Sequence, residues 1–270
     1  MRAKFWLAAA LIWGITSMTK LSQAEEPNAT DLYEEKTVTY TGGEYKDEVF
    51  KYRLLKPAKI EPGKKYPVVL FLHGAGERGD DNVSQLKYFP TWMAESKNRE
   101  AYPCFVIAPQ CRKDRKWVEV DWSASTHDLP KEPGDQMKVV LQILDGALKT
   151  YPIDEQRQYL TGLSMGGYGS WDLAMRMPKR FAAVAPVCGG GDEKNAELLK
   201  DVTIWAWHGD ADNAVPVERS RKMIAAIKAA GGKDDALKYT ELAGVGHDSW
   251  TAAYNGKDNL LPWMFGKVKK

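Results

Sequence analysis

Short apolar runs separated by amphipathic stretches dominate the chain from residue 66 onward. The runs are Val68 to Leu72, Phe105 to Ala108, Tyr159 to Leu163, Ala182 to Val187, Thr203 to Trp207 and Leu237 to Leu242. Segments this short and this continuously apolar predict strands buried on both faces, which belong in a parallel sheet covered by helices. Between them, Gln136 to Lys149 sets Val139, Val140, Ile143, Ala147 and Leu148 on one stripe. Val217 to Ala230 does the same with Met223, Ile224 and Ile227, so both predict amphipathic covering helices. A further helix is expected through Trp171 to Met177. Earlier in the chain, Val38, Tyr40, Phe50, Tyr52 and Leu54 alternate with polar residues around Gly42-Gly43, the pattern of a β-hairpin. The expected class is therefore α/β: a mostly parallel, twisted sheet with an N-terminal hairpin and helices on both faces. One long stretch, Cys111 to Gly134, carries no periodicity, and a loop of that length in a compact domain points to function.

The first two dozen residues have a different character. Arg2 and Lys4 precede an apolar run from Phe5 to Met18, and Ser22-Gln23-Ala24 places small residues where a signal peptidase reads. As a membrane anchor the run is short: its 14 residues make a helix of about 21 Å against a hydrocarbon core of roughly 30 Å. The expectation is a secretory signal, residues 1–24, cleaved after Ala24, leaving a secreted or periplasmic protein with no stable membrane anchor. No cysteine precedes Cys104 to take a lipid. The remaining 246 residues suit a single domain, 25–270.

Charge excludes one class of partner. Without residues 1–24 the chain holds 35 basic and 36 acidic residues, with no Lys/Arg run long enough to follow a nucleic-acid backbone. Of the three cysteines, Cys104 and Cys111 flank an extended run that holds them too far apart to bond. Cys111 with Cys188 is the one pairing worth weighing, and three thiols is the expected outcome.

The main chemical signal is Gly162-Leu163-Ser164-Met165-Gly166, set between an apolar strand and a helix. This is the nucleophile-elbow pattern, in which a strained turn projects the serine hydroxyl from the sheet and glycines avoid collision with neighbouring elements. The hydroxyl needs a base, and in this arrangement the chain order is Ser, acid, His. His73 and His127 precede Ser164; of His208 and His247, only His247 leaves room for an acid after the Thr203 to Trp207 strand. His247 is therefore the expected base. The loop His208 to Pro216 offers Asp210 and Asp212. Asp212 is the expected acid, with Asp210 tying down its own turn.

A tetrahedral intermediate needs two backbone N–H donors. One belongs to Met165, after the nucleophile, and the other to Ala75 in the His73-Gly74-Ala75-Gly76 loop. That loop also fits a dinucleotide-binding G-x-G-x-x-G through Gly79, yet Asp80-Asp81 stand where a helix should open, and no acid ends the next strand. Trp117, Trp122 and Trp250 are candidate aromatic walls for substrate, with hydrophobic pins as the alternative role. No metal-binding or cofactor motif occurs, so none is expected.

Taken together, His73 to Gly79, Gly162 to Gly169, Pro186 to Gly191, His208 to Pro216 and Gly246-His247 resemble the exported esterase branch of the α/β-hydrolases. That branch includes the phospholipase/carboxylesterase group, polyhydroxybutyrate-depolymerase-like and feruloyl-esterase-like enzymes, and relatives labelled predicted peptidases. The resemblance runs from Tyr66 to Phe265. It implies a cofactor-free serine carboxylesterase working through an acyl-enzyme on a small-molecule or polysaccharide-borne ester such as acetyl or feruloyl. A peptidase or polyester depolymerase using the same triad is the alternative. A non-catalytic binding protein on this fold is a third reading, and the filled triad argues against it.

Overall fold

The structure is a computed structural model that describes residues 28–269. The segment read as a secretory signal lies outside them. Eight strands form one sheet in the order β1-β2-β4-β3-β5-β6-β7-β8. They are β1 (Tyr33–Gly42), β2 (Tyr45–Leu55), β3 (Tyr66–Leu72), β4 (Phe105–Pro109), β5 (Ile153–Leu163), β6 (Ala183–Val187), β7 (Ile204–Gly209) and β8 (Leu237–Leu242). β1 and β2 are the expected hairpin, closed at Gly43, and β2 runs antiparallel to β4. From β4 to β8 every pairing is parallel.

Strand alternation explains why the central runs are apolar throughout. In β3, Val68, Leu70 and Leu72 point into one core, and Val69 and Phe71 into the other. The first core lies under α4 (Asp135–Thr150), α5 (Met165–Arg176) and α6 (Glu218–Ala229). The second lies under the short helices α1 (Ala29–Leu32), α2 (Phe89–Ala94), α7 (Trp250–Asn255) and α8 (Leu261–Phe265), with α3 (Ser96–Ala101) following α2. Both faces are covered, as a parallel sheet requires.

Two boundaries differ from the pattern reading. α5 starts at Met165, not near Trp171, because the glycine-rich stretch after the serine is helical and packs against strand backbone. β5 begins at Ile153, its charged first half lying beyond the apolar run. The Cys111 to Gly134 segment contains no helix or strand, as expected. Cys104, Cys111 and Cys188 are buried free thiols, so the Cys111–Cys188 bond is absent.

Candidate active site

The loops that follow β3, β5, β6, β7 and β8 converge at the carboxyl edge of the parallel strands, where open α/β sheets hold their sites. Ser164 stands between β5 and α5 with φ 54° and ψ −118°, a backbone state that non-glycine residues rarely adopt. Close packing enforces it. A Cβ on Gly166 would lie 1.8 Å from the Leu72 carbonyl oxygen, and one on Gly162 would lie 2.4 Å from the Gly166 oxygen. Neither position admits a side chain, so α5 begins hard against β3 and the serine is held at the turn.

Ser164 Oγ donates to His247 Nε2 at 2.9 Å, and His247 Nδ1 donates to Asp212 Oδ2 at 2.7 Å. The ring is thus fixed as the tautomer whose free nitrogen faces the serine. Asp212 Oδ1 accepts the N–H groups of Ala214 and Val215 at 2.8 and 2.9 Å. Burial works to raise the Asp212 pKa, but hydrogen bonds from His208, His247, Val215 and Ala214 overcome it and hold the carboxyl well below the usual range. Asp210 takes a different place. Its Oδ1 accepts the Gly244 N–H at 2.7 Å, so it ties the neighbouring loop, not its own turn as expected.

Met165 is the first residue of α5, where a backbone N–H has no intrahelical acceptor. Ala75 opens the short 3-10 turn Ala75–Glu77, whose internal bond runs from the Glu77 N–H to the Gly74 carbonyl. A three-residue turn is not the long helix that a dinucleotide loop would open. The loop abuts Ser164: a Cβ built on Gly74 would stand 3.7 Å from Ser164 Cβ. Glu77 Oε2 lies 3.0 Å from the same point, so its carboxyl packs against the Gly74 backbone.

The tryptophans divide. Trp117 as a substrate wall is corrected: its ring is 1 % exposed, and Nε1 donates to the His73 carbonyl at 2.9 Å, so it pins its loop beneath the site. Trp122 is half-buried, with Lys116 Nζ 4.6 Å from its ring centre. Trp250 meets the His247 ring edge-on, centroids 5.2 Å apart. Among the described residues, Cys188, Asp212 and His247 bring their ligand-type atoms within 4.8 Å of one another, a set that could hold a metal ion. Burial pushes the Cys188 thiol up, so it stays protonated, and the other two groups are bonded to each other.

Residues 44–245 match the family model described as "Putative esterase". The chain belongs to this esterase family. Among related proteins, a poly(3-hydroxyoctanoate) depolymerase of Pseudomonas fluorescens is 28% identical over 77% of this chain and 76% of its own. A bifunctional acetylxylan esterase/xylanase of Neocallimastix patriciarum is 28% identical over 59% of this chain, a region that spans 21% of that protein. A solved structure of a thermostable esterase superposes with a TM-score of 0.77 at 36% identity, covering 88% of this chain and 64% of that one. The chain thus spans about two thirds of that esterase. The fold is that of the α/β-hydrolases, and the chain is an ester hydrolase in class.

Proposed function

We propose that this esterase cleaves carboxylic esters by a two-step acyl-enzyme path, with Ser164 as nucleophile, His247 as base and Asp212 as the acid that orients it. The observation that carries the reading is the unbroken relay from Ser164 Oγ through His247 to Asp212, at 2.9 and 2.7 Å. As Oγ attacks the ester carbonyl, its proton passes to His247 Nε2, and the imidazolium formed is stabilised by the Asp212 carboxylate. The Ala75 and Met165 N–H groups receive the negative oxygen. Collapse expels the alcohol, protonated from Nε2, and leaves the acyl group on Ser164. Water, deprotonated by the same nitrogen, then releases the acid.

For substrate, the reading is a short-chain or polysaccharide-borne acyl ester, acetyl or feruloyl, with Trp122 and Trp250 as aromatic contacts. The acetylxylan activity named for the Neocallimastix relative supports it. The depolymerase name of the Pseudomonas relative favours a second reading, a hydroxyalkanoate polyester. We place the mature enzyme, residues 25–270 as one domain, outside the cytoplasm, on the basic-apolar-small order of residues 1–24. No helix among the described residues is long and apolar enough to cross a membrane.

The deciding experiment is a hydrolysis panel of nitrophenyl esters graded by chain length, acetylated xylan, feruloyl sugars, a hydroxyalkanoate polyester and peptide anilides. Ser164→Ala serves as control. Acetyl or feruloyl turnover lost in Ser164→Ala is the expected result. A preference for peptide anilides, or turnover that survives Ser164→Ala, overturns the reading.

A further inference from the structure

Asp212 faces two imidazoles. His208, at the end of β7 and fully buried, brings Nε2 to 3.3 Å from Asp212 Oδ2, the oxygen that accepts His247 Nδ1. The same Nε2 lies 3.0 Å from the Val215 carbonyl oxygen, which can only accept, so Nε2 carries a proton. That N–H is donated to the carbonyl, with the Asp212 carboxylate 3.3 Å from the same nitrogen. On the far side of the ring, Nδ1 is 2.8 Å from Ser220 Oγ, and Ser220 Oγ is 3.1 Å from the Gly189 oxygen. The hydroxyl has one proton for two acceptors. If it goes to Nδ1, His208 is neutral; if it goes to Gly189, His208 donates from both nitrogens and is a cation. In either state Nε2 keeps its proton, and the polar N–H lies beside Asp212 Oδ2.

We infer that His208 is a positioning residue: by sharing Asp212 Oδ2 with His247, it fixes the carboxylate's orientation and limits the negative charge presented to the catalytic imidazole. The inference rests on the triad reading given above. A carboxylate whose Oδ1 is held by two backbone N–H groups, and whose Oδ2 is held by the His247 ring and abutted by the His208 N–H, has no freedom to rotate. Removing one donor from Oδ2 leaves it more negative toward His247, which strengthens the imidazolium and moves deprotonation to higher pH. The other groups facing this pair do not supply that effect. Cys188 is a protonated thiol, burial raises the Tyr168 phenol, Asp248 is exposed, and Glu241, which faces His208, is paired with Arg221.

The test compares two substitutions. His208→Gln keeps an N–H at the Nε2 position; His208→Asn keeps a polar partner for Ser220 but does not reach Asp212. The pH dependence of kcat/KM is measured on a nitrophenyl ester with active-site-titrated enzyme, beside Ser164→Ala. In His208→Asn the acidic limb is expected to move up by about half a pH unit, with kcat lowered about tenfold and KM within about twofold. His208→Gln should restore the limb. An unmoved limb in a folded His208→Asn overturns the inference and leaves the triad standing, whereas activity in Ser164→Ala overturns the triad itself. Should His208→Asn fail to fold, imidazole 15N spectra of the parent decide. A protonated His208 Nε2 is expected, and an unprotonated Nε2 overturns the inference.

Discussion

Asp210 Oδ1 accepts the Gly244 N–H at 2.7 Å, a bond that joins the loop after β7 to the loop that carries His247. The two aspartates of one turn thus do separate work, one between loops and one on the imidazole. Asp212→Asn is expected to leave the fold intact and cut kcat by on the order of 10⁴, because an amide favours the wrong tautomer. Asp210→Ala should lower stability by about 1 kcal/mol or less and change kcat by less than about tenfold. Steady-state kinetics with thermal melts checks both, and a large kinetic loss at Asp210 would exchange the roles.

Acid should destabilise the protein through His73. Its Nδ1 donates to the Gly74 carbonyl at 2.6 Å and its Nε2 accepts the Cys111 N–H at 2.9 Å, so the buried ring is neutral with both nitrogens engaged. Burial drives its pKa down to about 4. The unfolded chain takes a proton near the ordinary imidazole value of about 6.5, and the native state refuses it until about 4. The stabilisation is therefore full above pH 6.5, declines between 6.5 and 4, and is gone below, a change on the order of 3 kcal/mol. Melting curves from pH 8 to 4 should show the fall. His73→Asn should start lower and slope less; an equal slope would assign the effect elsewhere.

Glycine positions near Ser164 separate cleanly. Gly166→Ala sets a Cβ 1.8 Å from strand carbonyl oxygen and should cost about 3 kcal/mol or more or prevent folding. Gly76→Ala meets nothing within 4 Å and should stay within about 0.5 kcal/mol. Denaturant titration of the two variants measures the contrast, and equal stabilities would refute the packing account.

Trp117→Phe keeps an apolar ring but deletes the N–H that reaches the His73 carbonyl, so a loss of about 1–2 kcal/mol is expected with KM unchanged. Trp122→Ala, by contrast, should raise KM for the preferred ester. A raised KM and unaltered melting point in Trp117→Phe would return that residue to the substrate wall.

Sequence pattern made the sheet and much of the candidate site legible, because central strands are apolar on both faces and the elbow demands glycine at fixed offsets. Its failures have physical causes. α2 and α3 are six residues each, too short for a helical stripe to emerge. α5 was hidden at its start by Gly166, Gly167 and Gly169, which read as a turn while serving close approach to β3 and β6. Trp117 could not be told from a wall, since composition says nothing about which way an indole faces. His208 carried one readable sign, its place four residues before Asp212 at a strand end, and only the shared oxygen gives that spacing meaning.

The Cys111 to Gly134 segment crosses the α5 face fastened at several points. Trp117 holds the His73 carbonyl, Tyr168 holds the Trp122 carbonyl, Arg176 holds the Pro130 carbonyl, and the Leu129 N–H reaches Asp192. These fastenings tie it to the β3 loop, to α5 and to the stretch after β6, and between them, among the described residues, Ser123 to Thr126 is held from outside the segment only where Lys222 Nζ of α6 reaches the Ser125 carbonyl. For anyone recasting this esterase toward another ester, the belt is a ready cassette. Side chains in its exposed part, such as Ser125 and Thr126, are the natural positions to vary, while the rivets keep the rest of the belt in register on α5.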